Sequence, residues 1–349
     1  MCTTFTLTAA DHSIAVGRTM EFAPDLGSRL TVFPRKWNYR AESPVPGEPG
    51  LAWQGTYGTV GMDLFGLDCL LDGVNEAGLY FGALYLPGFA EFQTVPAGKE
   101  SDSLSQVRDI GNYLLSTCAT VDEARRALQQ VLVWGATFPG RDEPIELHYA
   151  VHDKAGRSMV VEYIAGELRT HDNPLGVLTN SPPFDWHLLN LGNFINLSAT
   201  NVPDLELSGY DVKALGQGTG LLGLPGDFTP PSRFVRAVAL SRSAREPENN
   251  TQAAVLASHI LDSFDITEGL VRGEEDGRES LEYTQWSTIS TLDGGHCRYF
   301  VRYYENPVWH GVDLSAIDFD RTVVTRLDTG GASWFSDITP RSESAMSAS

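Results

Sequence analysis

The chain has 349 residues, of which 42% are hydrophobic and 20% are charged, a balance typical of a globular protein with a sizeable core. Its formal net charge is −20, from 25 Lys and Arg against 45 Asp and Glu. A surface this acidic argues against a nucleic-acid partner and against an anionic membrane partner, because both are bound through clustered positive charge.

No run of about 18 or more apolar residues occurs in the chain, and a helix that spans a bilayer needs such a run. The start, MCTTFTLTAADHSIAVG, lacks the basic and apolar stretches of a signal peptide. We therefore expect no association with a membrane and a cytoplasmic location.

The four cysteines, Cys2, Cys69, Cys118 and Cys297, form no CxxC pair and no metal-ligand spacing. Cys69 and Cys118 have apolar neighbours, as small core residues do. We expect reduced thiols, no metal site and no cofactor. Cys2 differs from the other three in its position, directly after the initiator methionine.

Strand signals dominate the N-terminal part of the chain. The predicted elements, in chain order, are strands at 4–7 and 13–16 joined by a hairpin turn at 10–12, a strand at 29–34, a surface loop at 36–50, and a turn at 75–78 followed by a strand that ends at Tyr85. Alternating short strands and turns of this kind favour antiparallel pairing.

Helical signals follow, and strands then return. Apolar spacing predicts a helix at 104–115, and a capping box from Thr120 to Glu123 predicts a second helix at 124–132. The later predicted elements are strands at 145–152, 158–164 and 167–170, a loop-rich stretch at 180–232, a helix at 253–263, and a hairpin formed by 284–292 and 297–304.

This order, with strands at both ends and helices between them, predicts an α+β fold in which helices are layered on antiparallel sheet. The sequence shows no internal repeat and no clear linker between domains. We expect a single domain over residues 1–337, followed by a disordered Ser-rich tail at 338–349.

The position of Cys2 gives it a specific chemical potential. Initiator methionine is commonly removed when the next residue is small, and Cys2 then carries both a thiol and a free α-amine. That amine has a reference pKa of about 7.7–8.0, so it can act as the base for its own thiol. Activation by an adjacent base is one way in which enzyme nucleophiles work. Many proteins begin with Met-Cys by chance, so this feature alone does not establish an enzyme.

Further motifs change that balance. The segments MCTTFTL, VGRTMEF, DGVNEAGL, GVLTNSPPFDWH and LGQGTGLLGLPGDFTPPSRFVR, in this order, resemble the choloylglycine hydrolase family over roughly residues 2–305. The resemblance implies an N-terminal-nucleophile (Ntn) hydrolase fold, an αββα sandwich of two antiparallel sheets between helical layers. It also implies cofactor-free hydrolysis of a linear amide and assembly into a homotetramer.

The resemblance assigns roles to individual residues. Cys2 is the nucleophile that forms a thioester, and its α-amine is the base. Arg18 supplies a fixed positive charge that favours the thiolate. Asn180 provides a neutral, preorganised amide that donates to the developing oxyanion. Arg233 shapes the electrostatics around Cys2, whereas Arg236 is expected to be structural.

Two positions depart from the pattern of bile salt hydrolases. Glu21 stands where the family usually has Asp, so the charge is kept on a side chain that is one methylene longer. We still expect Glu21 to orient the α-amine. Tyr85 stands where bile salt hydrolases generally have Asn and some penicillin V acylases have Tyr. Its backbone N–H is expected to complete the oxyanion hole, while its ring favours a flat or aromatic acyl group.

These features favour a cysteine amidase of small-molecule N-acyl amides, either penicillin V acylase-like or active on acyl homoserine lactones. The first alternative is a bile salt hydrolase that acts on glycine or taurine conjugates. A second alternative, from another class, is an inactive homologue that binds acyl amides, with Glu21 marking the loss of activity.

Three other signals are interpreted as structural. Residues 218–223 match GxGxxG, but no clear strand precedes them, so they predict a glycine-shaped loop near the active site rather than a dinucleotide site. His148 and His152 lie on a predicted strand about 13 Å apart, too far to share one metal ion. His187 is expected to be structural or part of the pocket wall.

Overall fold

Two antiparallel sheets form the centre of the protein, as given by a computed structural model that describes residues 1–137, 143–275, 277–320 and 323–330. The strands, in chain order, are β1 (Cys2–Thr8), β2 (Ile14–Phe22), β3 (Leu30–Phe33), β4 (Asn38–Arg40), β5 (Ala52–Gln54), β6 (Thr59–Asp63), β7 (Leu70–Asn75), β8 (Leu79–Tyr85), β9 (Ser103–Ser105), β10 (Leu132–Trp134), β11 (Leu147–Asp153), β12 (Ser158–Ile164), β13 (Glu167–Asp172), β14 (Leu205–Leu207), β15 (Tyr210–Val212), β16 (Val271–Glu275), β17 (Arg278–Leu292), β18 (Arg298–Tyr303), β19 (Asn306–Asp313) and β20 (Thr325–Arg326). The helices are α1 (Ile110–Thr117), α2 (Val121–Leu128), α3 (Phe184–Asn190), α4 (Pro230–Ser243) and α5 (Asn250–Leu261).

The first sheet has the strand order β1–β2–β17–β18–β19, with β16 paired to β17. The second sheet has the order β13–β12–β11–β8–β7–β6–β3–β20. Neighbouring strands in both sheets run antiparallel. Strands β1 and β17 of the first sheet contact β8 of the second. The N-terminal strand therefore lies at the interface between the two sheets.

Helices cover the outer face of each sheet. On the first sheet, α4 packs on β1 and α5 packs on β2 and β17; on the second, α1 packs on β7 and β8 and α2 packs on β11. Because each sheet is covered on both faces, strands β2, β7 and β11 are buried along nearly their whole length. Charged residues in these strands, such as Arg18 and Asp72, are buried too and need partners within the protein.

The expected α+β class is confirmed, and most predicted strands coincide with observed ones. The first predicted hairpin is β1 and β2, both longer than expected, and the last is β17 and β18. The predicted capping box does open a helix, since the Thr120 side chain accepts a hydrogen bond from the Glu123 N–H at the start of α2.

Two helix predictions have wrong boundaries. Segment 104–115 is not one helix, because Ser103–Ser105 forms β9 and α1 begins only at Ile110. Asp109 separates the two elements by accepting the Ser105 N–H at 2.8 Å. The helix predicted at 124–132 ends at Leu128, and the chain then enters β10.

The predicted loops contain regular structure that the sequence pattern does not reveal. The loop at 36–50 includes β4, no element is predicted for β6, and the stretch at 180–232 contains α3 and the start of α4. Helix α4 opens with Pro230 and Pro231. Proline is well tolerated in a first helical turn, where its missing N–H has no partner to lose. These prolines therefore start a helix rather than mark a loop.

The predicted tail at 338–349 lies outside the described residues, so the single domain at 1–337 stays a prediction. Within the described ranges, no helix combines the length and the apolarity that a membrane span requires.

Candidate active site

Cys2 lies at the centre of the site because strand pairing fixes its neighbours on both sides. In the register of β1 and β2, Cys2 faces Met20. On the other edge of β1, Thr4 and Leu178 exchange two backbone hydrogen bonds, so the same antiparallel register brings Asn180 opposite Cys2. The Cys2 N–H donates to Asn180 Oδ1 at 2.8 Å.

Side chains alternate along β1 and β2, so Cys2, Arg18 and Met20 share one face of the first sheet. We call this the inner face, because it packs on the second sheet. Cys2 Sγ lies 3.6 Å from Met20 Sδ and 3.9 Å from Arg18 Nη2, and the residue is only 2% exposed. The thiol is therefore buried next to one fixed positive charge.

Arg18 is held in place by the second sheet. Its Nη1 donates to Leu71 O at 2.7 Å and to Asp72 Oδ2 at 3.1 Å, and its Nη2 donates to Ala83 O. The guanidinium also lies 5.1 Å from the ring centroid of Trp286. Burial is the largest single influence and would lower the pKa of Arg18, but Asp72, Cys2 and Tyr80 together outweigh it and the net shift is upward. Arg18 is therefore a permanent charge.

Asp72 is completely buried and has several donors besides Arg18. The hydroxyls of Tyr80 and Tyr299 donate to its carboxylate at 2.5 Å each, and the Thr288 hydroxyl donates at 3.1 Å. These bonds replace the hydration that a buried carboxylate loses.

The opposite face of the first sheet, which we call the outer face, carries Thr3 and Glu21 and is covered by α4. Arg233 projects from α4, and its Nη1 donates to Cys2 O and, at 2.8 Å, to Thr3 Oγ1. Its Nη2 donates to Asn180 Oδ1 at 2.6 Å. Burial lowers the pKa of Arg233, against the opposing charge of Glu21. Arg233 thus links the chain start to the Asn180 side chain.

Glu21 is also fully buried. Its Oε1 accepts a hydrogen bond from the Thr284 hydroxyl at 3.0 Å, while its Oε2 has no hydrogen-bond partner among the described residues. Burial raises the pKa of Glu21, although the N-terminal ammonium and Arg233 act in the opposite direction. One oxygen of this carboxylate can therefore accept a further donor.

Met1 occupies the space next to Glu21. Its ammonium donates to Glu21 O and lies 3.1 Å from Glu282 Oε2, and the Glu21 N–H donates to Met1 O at 2.9 Å. Removal of Met1 would turn the Cys2 nitrogen into a free amine beside Asn180 Oδ1. It would also leave the Glu21 backbone without these bonds, next to that amine.

The Tyr85 backbone points towards the site. Leu86 N–H donates to Glu146 O at 2.8 Å, so the even-numbered residues near the end of β8 form their backbone hydrogen bonds on the side of β11. The N–H and C=O of Tyr85 therefore point to the other edge, where Asn180 Nδ2 donates to Tyr85 O at 2.6 Å. The Asn180 amide has a second N–H, so it can still donate to another oxygen.

A small apolar pocket, partly open to solvent, adjoins Cys2 between the two sheets and has a cavity volume of about 40 Å³. The rings of Phe22 and Tyr85 meet edge to face on its wall, with centroids 6.1 Å apart. Apart from Glu21, every residue of the lining is apolar, aromatic or the cysteine itself. The lining consists of Cys2, Met20, Glu21, Phe22, Leu26, Leu64, Leu71, Ala83, Tyr85, Val107, Ile145 and Leu147.

A family profile described as linear amide C–N hydrolases, choloylglycine hydrolase family, matches residues 2–325. The chain belongs to this family. The bile salt hydrolase/transferase of Clostridium perfringens (strain 13 / Type A) is 30% identical over 322 residues, which cover 92% of this chain and 94% of the relative. The penicillin V acylase of Pectobacterium atrosepticum is 28% identical over 318 residues, covering 86% and 77%.

Solved structures agree with this membership. A mutant conjugated bile acid hydrolase from Clostridium perfringens matches with a TM-score of 0.81 and 28% identity, over 95% of this chain and 97% of the other. Penicillin V acylase from Agrobacterium tumefaciens matches with a TM-score of 0.74 and 26% identity, over 94% and 92%. The expected Ntn-hydrolase sandwich is therefore confirmed, and the protein is a linear amide hydrolase by family.

The fold brings all the residues that the family resemblance singles out into one cluster, formed by Cys2, Arg18, Glu21, Tyr85, Asn180 and Arg233. Arg236 lies apart, with Nη1 donating to Pro225 O at 2.8 Å and the guanidinium 5.0 Å from the Phe264 ring, which agrees with a structural role. The glycine motif at 218–223 forms a 3₁₀ turn rather than the start of an α-helix.

The family resemblance assigns no role to two further residues of the site. Asp72 supports Arg18, and Thr284 bonds Glu21. Asp72 begins the segment DGVNEAGL, and its place in the apolar run LLDGVN was a second signal, because a carboxylate in a buried strand needs cationic or hydroxyl partners. His148 and His152 do lie on one strand, and the described residues include no group of His, Cys, Asp or Glu arranged to hold a metal.

Proposed function

We propose that the protein hydrolyses small N-acyl amides through a thioester on Cys2, once Met1 has been removed. The Cys2 sulfur attacks the amide carbonyl carbon while the α-amine takes the thiol proton. The C–N bond then breaks, and the leaving amine receives that proton. Water next attacks the thioester, the C–S bond breaks, and the carboxylic acid leaves as the thiol regains a proton.

The placement of the charged and polar groups supports this mechanism. Arg18 stabilises a thiolate, since its charge is 3.9 Å from Cys2 Sγ. The second N–H of Asn180 and the backbone N–H of Tyr85 form the oxyanion hole in our proposal. Both are neutral donors, one a side-chain amide and the other a backbone amide, and fixed donors of this kind favour a charge that appears only in the transition state. Glu21 orients the released α-amine.

For the substrate, we propose an acyl group of the penicillin V type, or the acyl chain of a homoserine lactone. The observation that carries this proposal is the apolar pocket beside Cys2, with Phe22 and Tyr85 on its wall. A flat aryl or alkyl group gains about 25 cal/mol per Å² of apolar surface buried there. A hydroxyl or charged group on the acyl part would find almost no polar partner.

Bile salt hydrolysis is the second candidate, and the comparisons favour it as much as the first. The relative with 30% identity is a bile salt hydrolase/transferase, whereas the penicillin V acylase has 28%. A steroid acyl group is also largely apolar, so pocket polarity alone does not separate the two. The third candidate is a homologue that binds acyl amides without cleaving them.

Parallel hydrolysis of penicillin V, a long-chain acyl homoserine lactone and glycocholate tests the proposal, with Cys2→Ala as the control. We expect wild type, with loss of Met1 confirmed by intact mass, to cleave penicillin V or the lactone at a higher kcat/KM than glycocholate. A higher kcat/KM for glycocholate would instead identify the protein as a bile salt hydrolase. Binding without turnover of any substrate would support the inactive homologue.

We also propose a homo-oligomer, expected to be a tetramer. The hairpin of β14 and β15 is exposed along both strands, and apolar Leu207 and Tyr210 are 56% and 72% exposed. An isolated two-stranded hairpin is marginally stable in water, and exposed apolar clusters often mark interfaces. Light scattering should show a tetramer that Leu207→Asp with Tyr210→Asp dissociates, whereas Leu270→Asp, at another exposed position, should not. A monomeric wild type would refute this.

The cytoplasmic location also stays a prediction.

A further inference from the structure

Two buried histidines hold the segment of backbone that carries Asn180. His148 Nε2 lies 3.1 Å from Thr179 O, and His187 Nε2 lies 2.9 Å from Asn180 O. Both histidines are completely buried. Because a carbonyl oxygen only accepts, each Nε2 must carry a proton and donate it. The two donors come from different elements, β11 and α3, and converge on adjacent peptide units.

The other ring nitrogen of His148 also has a partner. Its Nδ1 lies 3.1 Å from Glu162 Oε1, which also accepts the Phe184 N–H at 3.0 Å. Burial alone would raise the pKa of Glu162, but hydrogen bonds with His148 and His171 outweigh it and lower the pKa to about 2. Glu162 is therefore a carboxylate. With Glu162 Oε1 beside its Nδ1 and Thr179 O beside its Nε2, the His148 ring is held at both nitrogens.

The location of the two bonds determines what they restrain. Thr179 C=O belongs to the peptide unit before the Asn180 Cα, and Asn180 C=O belongs to the unit after it. Since peptide units are planar, fixing both oxygens fixes the backbone angles of Asn180 and the direction of its side chain. His148 is held at both ring nitrogens, whereas His187 Nδ1 has no hydrogen-bond partner among the described residues, so His148 is the stronger restraint.

We propose that His148, paired with Glu162, is a positioning residue that aims the Asn180 amide at the reacting carbonyl. His187 restrains the following peptide unit in the same way. The inference rests on the proposed function, because it takes Asn180 as an oxyanion donor. His148 is not one of the residues that line the pocket, and its two ring hydrogen bonds go to Glu162 and Thr179, so we expect it to act on the reaction through Asn180.

A pair of substitutions separates this role from simple support of the fold. In His148→Gln, the amide nitrogen reaches the place of Nε2 and can still donate to Thr179 O. In His148→Asn, it reaches only the place of Nδ1 and can pair with Glu162 alone. We expect His148→Asn to lower kcat about 10²-fold with KM within about twofold, because a small misplacement of a catalytic group has that effect. His148→Gln should retain most of the activity.

The same pair at His152 is the matched control. His152 lies on the same strand and is 1% exposed, but neither of its ring nitrogens has a hydrogen-bond partner among the described residues. His152→Asn and His152→Gln should give equal kcat values. If His148→Asn does not fold, His187→Phe provides a second route, since it keeps the ring stacked on Phe234 (centroids 4.7 Å apart) and loses only the donor to Asn180 O.

Asn180→Ala distinguishes failure of the inference from failure of the proposed function. We expect it to lower kcat about 10²–10³-fold, as loss of an oxyanion donor does, and His148→Asn should add little in that background. Equal kcat for His148→Asn and His148→Gln, with Asn180→Ala severely impaired, would overturn the positioning role alone. An Asn180→Ala variant with normal kcat would refute the oxyanion role itself.

Discussion

The inner and outer faces of the first sheet each bury an arginine beside Cys2, and they do so differently. Arg18 and Arg233 are both 0% exposed. On the inner face, Arg18 is bonded to the carboxylate of Asp72, and its pKa is raised. On the outer face, Arg233 donates to neutral oxygens such as Asn180 Oδ1, and burial lowers its pKa. Within the described residues it has no ion-pair partner.

The difference shows that the partner of a buried charge, and not burial alone, decides its chemistry. Arg18 is a charge fixed by a counterion and aimed at the sulfur. Arg233 instead organises the backbone of Cys2 and the amide of Asn180, with Glu21 supplying charge from nearby. The inner face would then set the reactivity of the thiol, and the outer face would set the geometry of the chain start.

The largest expected effect is on the inner face. Arg18→Met leaves the Asp72 carboxylate buried without its cation, and breaking a buried pair from one side costs about 3–5 kcal/mol. We expect a loss of that size in chemical denaturation, together with a fall in kcat/KM on the order of 10²-fold.

Adding Asp72→Asn to Arg18→Met should restore most of the stability, because no lone charge then remains. Activity should stay low, since neither change returns a positive charge to the sulfur. Recovery of activity in this double variant would contradict the role that we give to Arg18.

The outer face should respond more weakly in stability. Arg233→Met removes hydrogen bonds to neutral oxygens and leaves no carboxylate without a bonded partner. We therefore expect folding stability to fall by about 1–3 kcal/mol. Turnover should fall because Asn180 Oδ1 loses its 2.6 Å donor. If urea unfolding shows a loss as large as that of Arg18→Met, Glu21 is a full counterion and the contrast between the faces is lost.

A smaller effect, with opposite signs for stability and activity, is expected at Glu21. Burial raises the pKa of Glu21, and a carboxyl whose folded pKa lies above its unfolded value disfavours folding at neutral pH. Glu21→Gln should therefore be more stable than wild type at pH 7, while kcat falls about 10-fold because a neutral amide attracts the released α-amine less than a carboxylate does.

Glu21→Asp is the comparison variant, because it keeps the charge on the shorter side chain that the family usually has. If the charge of the side chain matters more than its length, Glu21→Asp should retain activity within about threefold of wild type. Its activity should then be well above that of Glu21→Gln at the same pH. Equal loss in both variants would show that chain length, and not charge, is what the site requires.

Local motifs made part of this site predictable. Cys2, Arg18, Asn180 and Arg233 each lie in a short segment that resembles the family, and the hairpin that begins at Cys2 followed from short β-prone runs and a turn. The structure groups them, but their chemical roles stay predictions until the variants above are measured.

The supporting residues could not be predicted, because each is linked to the site across a long sequence separation. Asp72 lies 54 residues from Arg18, and Thr284 lies 263 residues from Glu21. Such pairs depend on strand order and register, which no local pattern encodes. His148 illustrates the same limit, since its role depends on Glu162 and Thr179 meeting it from other elements.

The smallest expected effect concerns His152, on the second sheet. Burial lowers the pKa of His152 to about 3, from 6.5 in a model peptide. At a pH between these two pKa values, His152 is protonated in the unfolded chain and neutral in the folded chain, so stability falls as the pH drops below 6.5. His152→Phe keeps a ring stacked on Tyr80 and removes the titration.

From pH 7.5 to 5.5, wild type should lose about 1.4 kcal/mol more than His152→Phe, measured by urea unfolding at each pH. The raised pKa of Asp109 has the opposite effect on the pH profile, but it is present in both proteins and cancels in the difference. Parallel stability curves would mean that His152 takes up its proton in the folded state, which requires a partner for the ring. A charged His152 would make this part of the second sheet resemble the inner face at Arg18, where a buried cation persists because it is paired.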